Sequence, residues 1–196
     1  MPYIFISISL VLFLGSCGAS PIDKKAGKTK DTPTITNVTT YEYSIFHDKL
    51  LLTAIQKPYE EDATNQVSKL ALIAYSDIKK YSFINMINKG AMDVTVSEFK
   101  EAVDSSFNTK KVLDELTFNL INHPSLKMKF STPTSLNGAF NGYSVVGRGT
   151  VPGTENSFIY LAVLSDRKML ITTTAGLENV NDTVTVSKIV HSIKRK

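Results

Sequence analysis

Few side chains in this sequence have the type and spacing to do chemistry. They are three histidines, an acidic triplet, a glycine-flanked arginine, two short hydroxyl runs and one cysteine. His47 stands beside Asp48, a pairing that suits acid–base work or metal binding but lacks the third group that either needs. A solvated turn explains it better. His123 precedes Pro124 and reads as a cationic cap on a helix end, and His191 as a surface residue facing the negative end of the last helix. Glu60-Glu61-Asp62 reads as a solvated acidic loop, since nothing around it resembles a calcium loop. Arg148 lies between Gly147 and Gly149. The glycines either open the backbone to a ligand or mark a bulge or edge strand, the commoner cause. Ser105-Ser106 falls at a helix end and Thr172-Thr173-Thr174 in a strand. The run from Gly142 to Gly147 has the wrong spacing for a nucleophile elbow, and no H-E-x-x-H zinc motif occurs. No catalytic residue, cofactor-binding residue or metal ligand is assigned, and no cofactor is expected.

The cysteine is different. An apolar run from Ile4 to Leu14 ends in Leu14-Gly15-Ser16-Cys17, and Cys17 is the only cysteine of the chain. A short apolar segment closing in small residues is a signal for export. Leu, two small residues and Cys resemble the lipobox of bacterial lipoproteins. That resemblance implies cleavage before Cys17, diacylation of its thiol and acylation of the new amino terminus. Met1-Pro2-Tyr3 departs from the pattern in carrying no Lys or Arg. The apolar run is also shorter than the roughly 20 residues that span a bilayer. Gly18, rather than Asp, follows the cysteine, which by resemblance to Gram-negative sorting favours the outer membrane with the domain in the periplasm.

The expected organisation is a signal peptide over 1–16, a lipidated cysteine and linker over 17–35, and a single domain over 36–196. Residues 18–36 are rich in Ala, Gly, Ser, Pro, Lys and Thr and show no apolar period. Hydrophobic content of 42% and charged content of 20% suit a globular domain. The net charge of +4 gathers at Lys24, Lys25, Lys28 and Lys30 and at Lys194, Arg195 and Lys196, beside an anchor and at a tail. A nucleic-acid partner is excluded by export and by the lack of a basic–aromatic motif. The expected partners are the bilayer, through acylated Cys17, and an envelope protein.

Periodicity then predicts the elements. Tyr41, Tyr43 and Ile45 alternate with polar residues as a strand; His47-Asp48-Lys49 turns the chain; Leu50–Ile55 returns it. Pro58–Asn65 reads as a loop. Leu70–Tyr75 and Tyr81–Ile87 read as a hairpin around Ser76–Lys80, with one helix over 67–81 as the rival. Thr95-Val96-Ser97-Glu98 matches a capping box, and Val96, Phe99, Val103 and Phe107 follow at helical spacing. Asn108-Thr109 is a break or a re-cap, after which Val112, Leu113, Leu116 and Leu120 form a second helical face that ends before Pro124. Asn137-Gly138 and Asn141-Gly142 are turn dipeptides in a meander with strands at Tyr143–Val151, Phe158–Leu164 and Met169–Thr174, the last two joined by Ser165–Lys168. Asn181 or Asp182 caps a final helix burying Val186, Ile189, Val190 and Ile193, with Lys194 and Arg195 in its last turn.

The fold class is therefore α+β, an antiparallel β-sheet packed with helices. From Val94 onward the order of elements resembles the PsbP-like αβα sandwich. The residues that carry it are Leu136-Asn137-Gly138 with Gly142-Tyr143, Phe158-Ile159-Tyr160-Leu161, Met169 to Ala175 and Ile189 to Lys194. The resemblance covers about 100 residues at the level of pattern and implies a non-catalytic binding or assembly module. The alternative is an envelope enzyme of hydrolase type, its site assembled from residues distant in sequence.

Overall fold

The computed structural model describes residues 39–64, 74–84, 90–104, 107–150 and 157–196. The expected signal segment, Cys17 and the whole of the expected linker lie outside them, as do Ser105-Ser106.

Residues 169–177 explain how the sheet is built. In Met169–Leu177 every odd-numbered residue is buried, and the strand pairs antiparallel on both sides, with Ala91–Phe99 and with Ser157–Ser165. In chain order the strands are β1 (Tyr41–Ile45), β2 (Leu50–Ala54), β3 (Tyr59–Asp62), β4 (Tyr75–Phe83), β5 (Ala91–Phe99), β6 (Lys127–Phe130), β7 (Thr134–Leu136), β8 (Asn141–Thr150), β9 (Ser157–Ser165), β10 (Met169–Leu177) and β11 (Lys194–Arg195). Among the described residues the full helices are α1 (Thr109–Ile121) and α2 (Asp182–His191). The large sheet runs β3-β4-β5-β10-β9-β8-β6, with β7 added on β8; β1-β2-β11 forms a separate small sheet. β9 is buried on both faces from Tyr160 to Leu164, which is why it reads as an unbroken apolar run.

Two cores flank the large sheet. On one face Leu113, Leu116 and Leu120 of α1 meet Leu161, Val163 and Leu170. On the other, Val186, Ile189 and Val190 of α2 and Leu50 and Leu52 of β2 meet Val94, Val96, Ala162 and Ile171. The result is α1, then the sheet, then α2 with the small sheet: an α+β sandwich, as the apolar patterning predicts.

Four expectations are corrected. Thr95-Val96-Ser97-Glu98 is not a capping box but the middle of β5; Val94 and Val96 are fully buried, and pairing with β4 and β10 outweighs the local helix signal. Ser76–Lys80 is neither a turn nor part of a helix: it lies within β4, between β3 and β5. Residues 70–73 and 85–87 of the expected hairpin lie outside the described residues. Tyr59–Asp62 is an edge strand rather than a loop, with Glu61 and Asp62 ion-paired across to Lys80 and Lys79. Lys194 and Arg195 leave α2 and pair with Leu51 and Leu50 as β11.

The remaining helix signals hold with changes of detail. Asn108 is the N-cap of α1, its side chain accepting from Lys111 N at 3.0 Å, as the re-cap reading predicts. At the other end Asn122, not His123, satisfies the Phe118 carbonyl. Asn181 sits at the N-cap of α2 but makes no side-chain cap bond; Asn179 instead accepts from its N–H.

Candidate functional site

Two arrangements bring polar side chains together. The first is at the β1–β2 turn. Phe46, His47 and Asp48 all lie in the left-handed region, at φ of 52°, 53° and 60°. For L-residues this costs roughly 1–2 kcal/mol each, so surrounding contacts must hold it. They do. The buried Phe46 N–H donates to the Tyr81 hydroxyl at 2.7 Å. His47 Nε2 meets Asp77 at 2.5 Å, and Lys49 Nζ reaches both Glu98 oxygens at 2.7 Å. Asp77 and Glu98 are direct cross-strand partners on β4 and β5, so two like charges are each met by a cation from the turn. Burial pushes the Tyr81 hydroxyl well above its usual range, although the Phe46 N–H pulls the other way. The hydroxyl therefore stays protonated. Asp48 is held below its ordinary value by a Ser44 hydrogen bond and then by Lys196.

The histidines and acids singled out by sequence are thus set in structural ties. His47 anchors the turn through Asp77, its spatial partner, rather than through its neighbour Asp48. His191 Nδ1 lies 2.7 Å from the Ser187 carbonyl in the last turn of α2, in keeping with the dipole-facing reading. His123 Nδ1 accepts from Ser125 N at 3.3 Å beyond the end of α1. Asp62 is pulled down to about 2, chiefly by hydrogen bonds from Thr64. Among the described residues no three His, Cys, Asp or Glu side chains gather as metal ligands.

Arg148 has a packing explanation. A Cβ on Gly147 would fall 2.5 Å from the Phe130 ring, and one on Gly149 would fall against the Lys127 carbonyl. The glycines admit β6 rather than a ligand, and no bulge is present: β6 and β9 pair with β8 in continuous register. The Arg148 guanidinium lies 5.8 Å from the Phe158 ring centroid, a cation–π contact.

The second arrangement is a polar cleft of about 370 Å³ on the α1 side of the sheet. One wall is the start of α1, with Phe107, Asn108 and Thr109; the other is the β7–β8 hairpin, with Ser135, Asn137, Asn141 and Tyr143. Ser135 and Tyr143 are cross-strand partners and so share a face. Thr109 Oγ1 hydrogen-bonds Ser165 Oγ at 2.5 Å, and Ser165 pairs with Asn141 in the sheet, so the two walls are linked. Sequence reading picked out Asn108, Asn137 and Asn141 separately, as one cap and two turns; the second turn is corrected, since Asn141-Gly142 opens β8 and pairs with Ser165 and Leu164 of β9. It could not see that α1 and β6, which separate them in the chain, return them to one place.

No family model matches the chain, and no curated protein does. Among solved structures, the solution structure of cyanobacterial PsbP (CyanoP) from Synechocystis sp. PCC 6803 is similar, with a TM-score of 0.55 and 15% identity over 85% of this chain and 98% of that one. The antiparallel sheet with helices packed on its two faces and this likeness together give the chain a PsbP-like fold.

Proposed function

We propose that the chain is a lipid-anchored lipoprotein of the bacterial envelope whose α+β domain is a non-catalytic binding or assembly module, held at the outer membrane and facing the periplasm. The observation that carries the anchor is the position of the sole cysteine, Cys17, at the end of the Ile4–Leu14 apolar run and directly after Leu14-Gly15-Ser16. Three acyl chains at one residue hold a protein firmly, since each buried CH₂ contributes roughly 0.8 kcal/mol. Lys24, Lys25, Lys28 and Lys30 then lie close to the headgroups, where each basic charge adds about 1 kcal/mol on an anionic surface. The binding reading is supported by how the titratable groups are used: His47, Asp77, Lys49 and Glu98 fasten the small sheet to the large one.

Mass spectrometry of membrane-extracted protein tests the anchor. The expected amino terminus is Cys17 carrying a diacylglyceryl thioether and an amide-linked acyl chain. A water-soluble mature form with a free Cys17 thiol overturns it.

Photo-crosslinking in the intact envelope tests the module. Tyr59 and Ile84 near the β3 edge, and Phe118 and Ile121 on α1, are large apolar side chains that stand exposed. Crosslinkers at these four positions are expected to trap one discrete adduct at one pair and not at the other. No adduct at any of them overturns a protein partner.

A further inference from the structure

The cleft between α1 and the β7–β8 hairpin has a lining with a distinct chemistry. Its side chains include three carboxamides (Asn108, Asn137 and Asn141) and the hydroxyls of Ser135 and Tyr143, and among the described residues no ionised side chain lines it. Its volume of about 370 Å³ falls within the ~300–1,000 Å³ of small-ligand sites. Asn137, Asn141, Ser135 and Tyr143 have no side-chain hydrogen-bond partner among the described residues, so these groups face the cleft unspent. Asn108 has committed its oxygen to Lys111 N as the α1 cap, which fixes the side chain and leaves its NH₂ as a donor.

We propose that this cleft binds a neutral, hydroxyl-rich ligand: a saccharide unit of a glycan. The inference rests on the binding-module reading and names what the module holds. A carboxamide offers a donor and an acceptor side by side, and so does each pair of adjacent sugar hydroxyls. An anion would enter without a compensating charge, and a lone charge taken from water is costly. The apolar C–H face of a sugar ring also needs a flat surface. Tyr143 is half-buried in the wall, and Phe107 is held edge-on against Phe99 at 5.3 Å between ring centroids. The walls are built on secondary structure: the α1 cap, the β7–β8 pairing and the Thr109–Ser165 link. Little ordering is therefore left to be done on binding.

The test uses the full chain in a zwitterionic, sugar-free detergent, titrated with triacetylchitotriose and, separately, with sodium phosphate. Nitrogen-edited NMR follows the side-chain NH₂ signals of Asn108, Asn137 and Asn141. Saturable shifts of these signals with the trisaccharide are expected, with a dissociation constant on the order of 1 mM. Asn141→Ala and Tyr143→Phe each remove one hydrogen-bonding group and are expected to weaken binding by about tenfold. Both leave the remaining NH₂ signals in place as a check on folding. The proposal is overturned if the trisaccharide moves none of these signals, if its effect survives unchanged in Asn137→Ala/Asn141→Ala, or if phosphate moves them and the trisaccharide does not. A crosslinked protein partner together with a silent cleft would remove the glycan and leave the binding module standing.

Discussion

Gly142→Ala is expected to unfold the domain or to lower its urea midpoint sharply. Gly142 is buried in β8 opposite Leu164 of β9, and an added Cβ would lie 2.0 Å from the Val163 carbonyl oxygen and 2.9 Å from the Leu164 Cα. Both obstacles are backbone, so no side-chain rotation relieves the clash, and β8 must move off β9. Overpacking of a close-packed site costs about 1–3 kcal/mol and more where the backbone has to shift. We expect about 3 kcal/mol or more, a large part of the roughly 5–15 kcal/mol that holds a domain together. Gly176→Ala is the control. It is also in a strand, on β10, but nothing lies within 4 Å of its added Cβ. Its urea midpoint, followed by circular dichroism, should stay within about 0.5 kcal/mol of the parent. Equal midpoints for the two variants would mean that β8 and β9 do not pair in this register.

Tyr81→Phe is expected to cost about 1–3 kcal/mol through one lost oxygen. Tyr81 is 1% exposed, and its hydroxyl accepts from the buried Phe46 N–H. Phenylalanine keeps the ring and the packing but strands that N–H without a partner. The donor belongs to the first of three successive left-handed residues, so the loss falls on the segment whose backbone already carries strain. For a chain of this size, 1 kcal/mol corresponds to about 2–4 °C in Tm. A fall of several degrees is expected, with amide exchange at Phe46 rising before exchange in β9. An unchanged Tm together with unchanged exchange would show that the turn is held without Tyr81.

The parts of the fold that sequence predicts are those whose signals are local. β9 announces itself because both of its faces are buried, and the turn at 165–168 because Asp166 Oδ1 accepts from the N–H groups of Lys168 and Met169. β3 and β4 are hidden for the opposite reason. Glu60-Glu61-Asp62 and Lys79-Lys80 look like solvated stretches, and they become strands only when they lie side by side and exchange charge. β5 misleads because Thr95 and Glu98 have the spacing of a cap, while Met92, Val94 and Val96 alternate as a strand; neighbouring strands decide between the two. The cleft is invisible to spacing altogether. Asn108 reads locally as a cap and Asn137 as a turn, Asn141 is a strand residue of β8, and only tertiary structure gives the three a common place.

The separation of the small sheet from the large one has a mechanical consequence. If the chain is anchored at Cys17 as proposed, a pull between the membrane and anything gripping the domain reaches β1 first. In the sheet β1 pairs with β2 alone, and Tyr41 and Ala54 form the open end of that hairpin. Load arriving there opens the ladder one pair at a time instead of shearing all pairs together. The first residues to yield, Tyr41 and Glu42, are exposed, while Ile45, at the closed end, is 3% exposed and sits in the core. Peeling is therefore easy for the outer pairs and stops at Ile45. The hairpin is a fuse in series with the tether, lengthening it under tension before the strands that carry the cleft are disturbed.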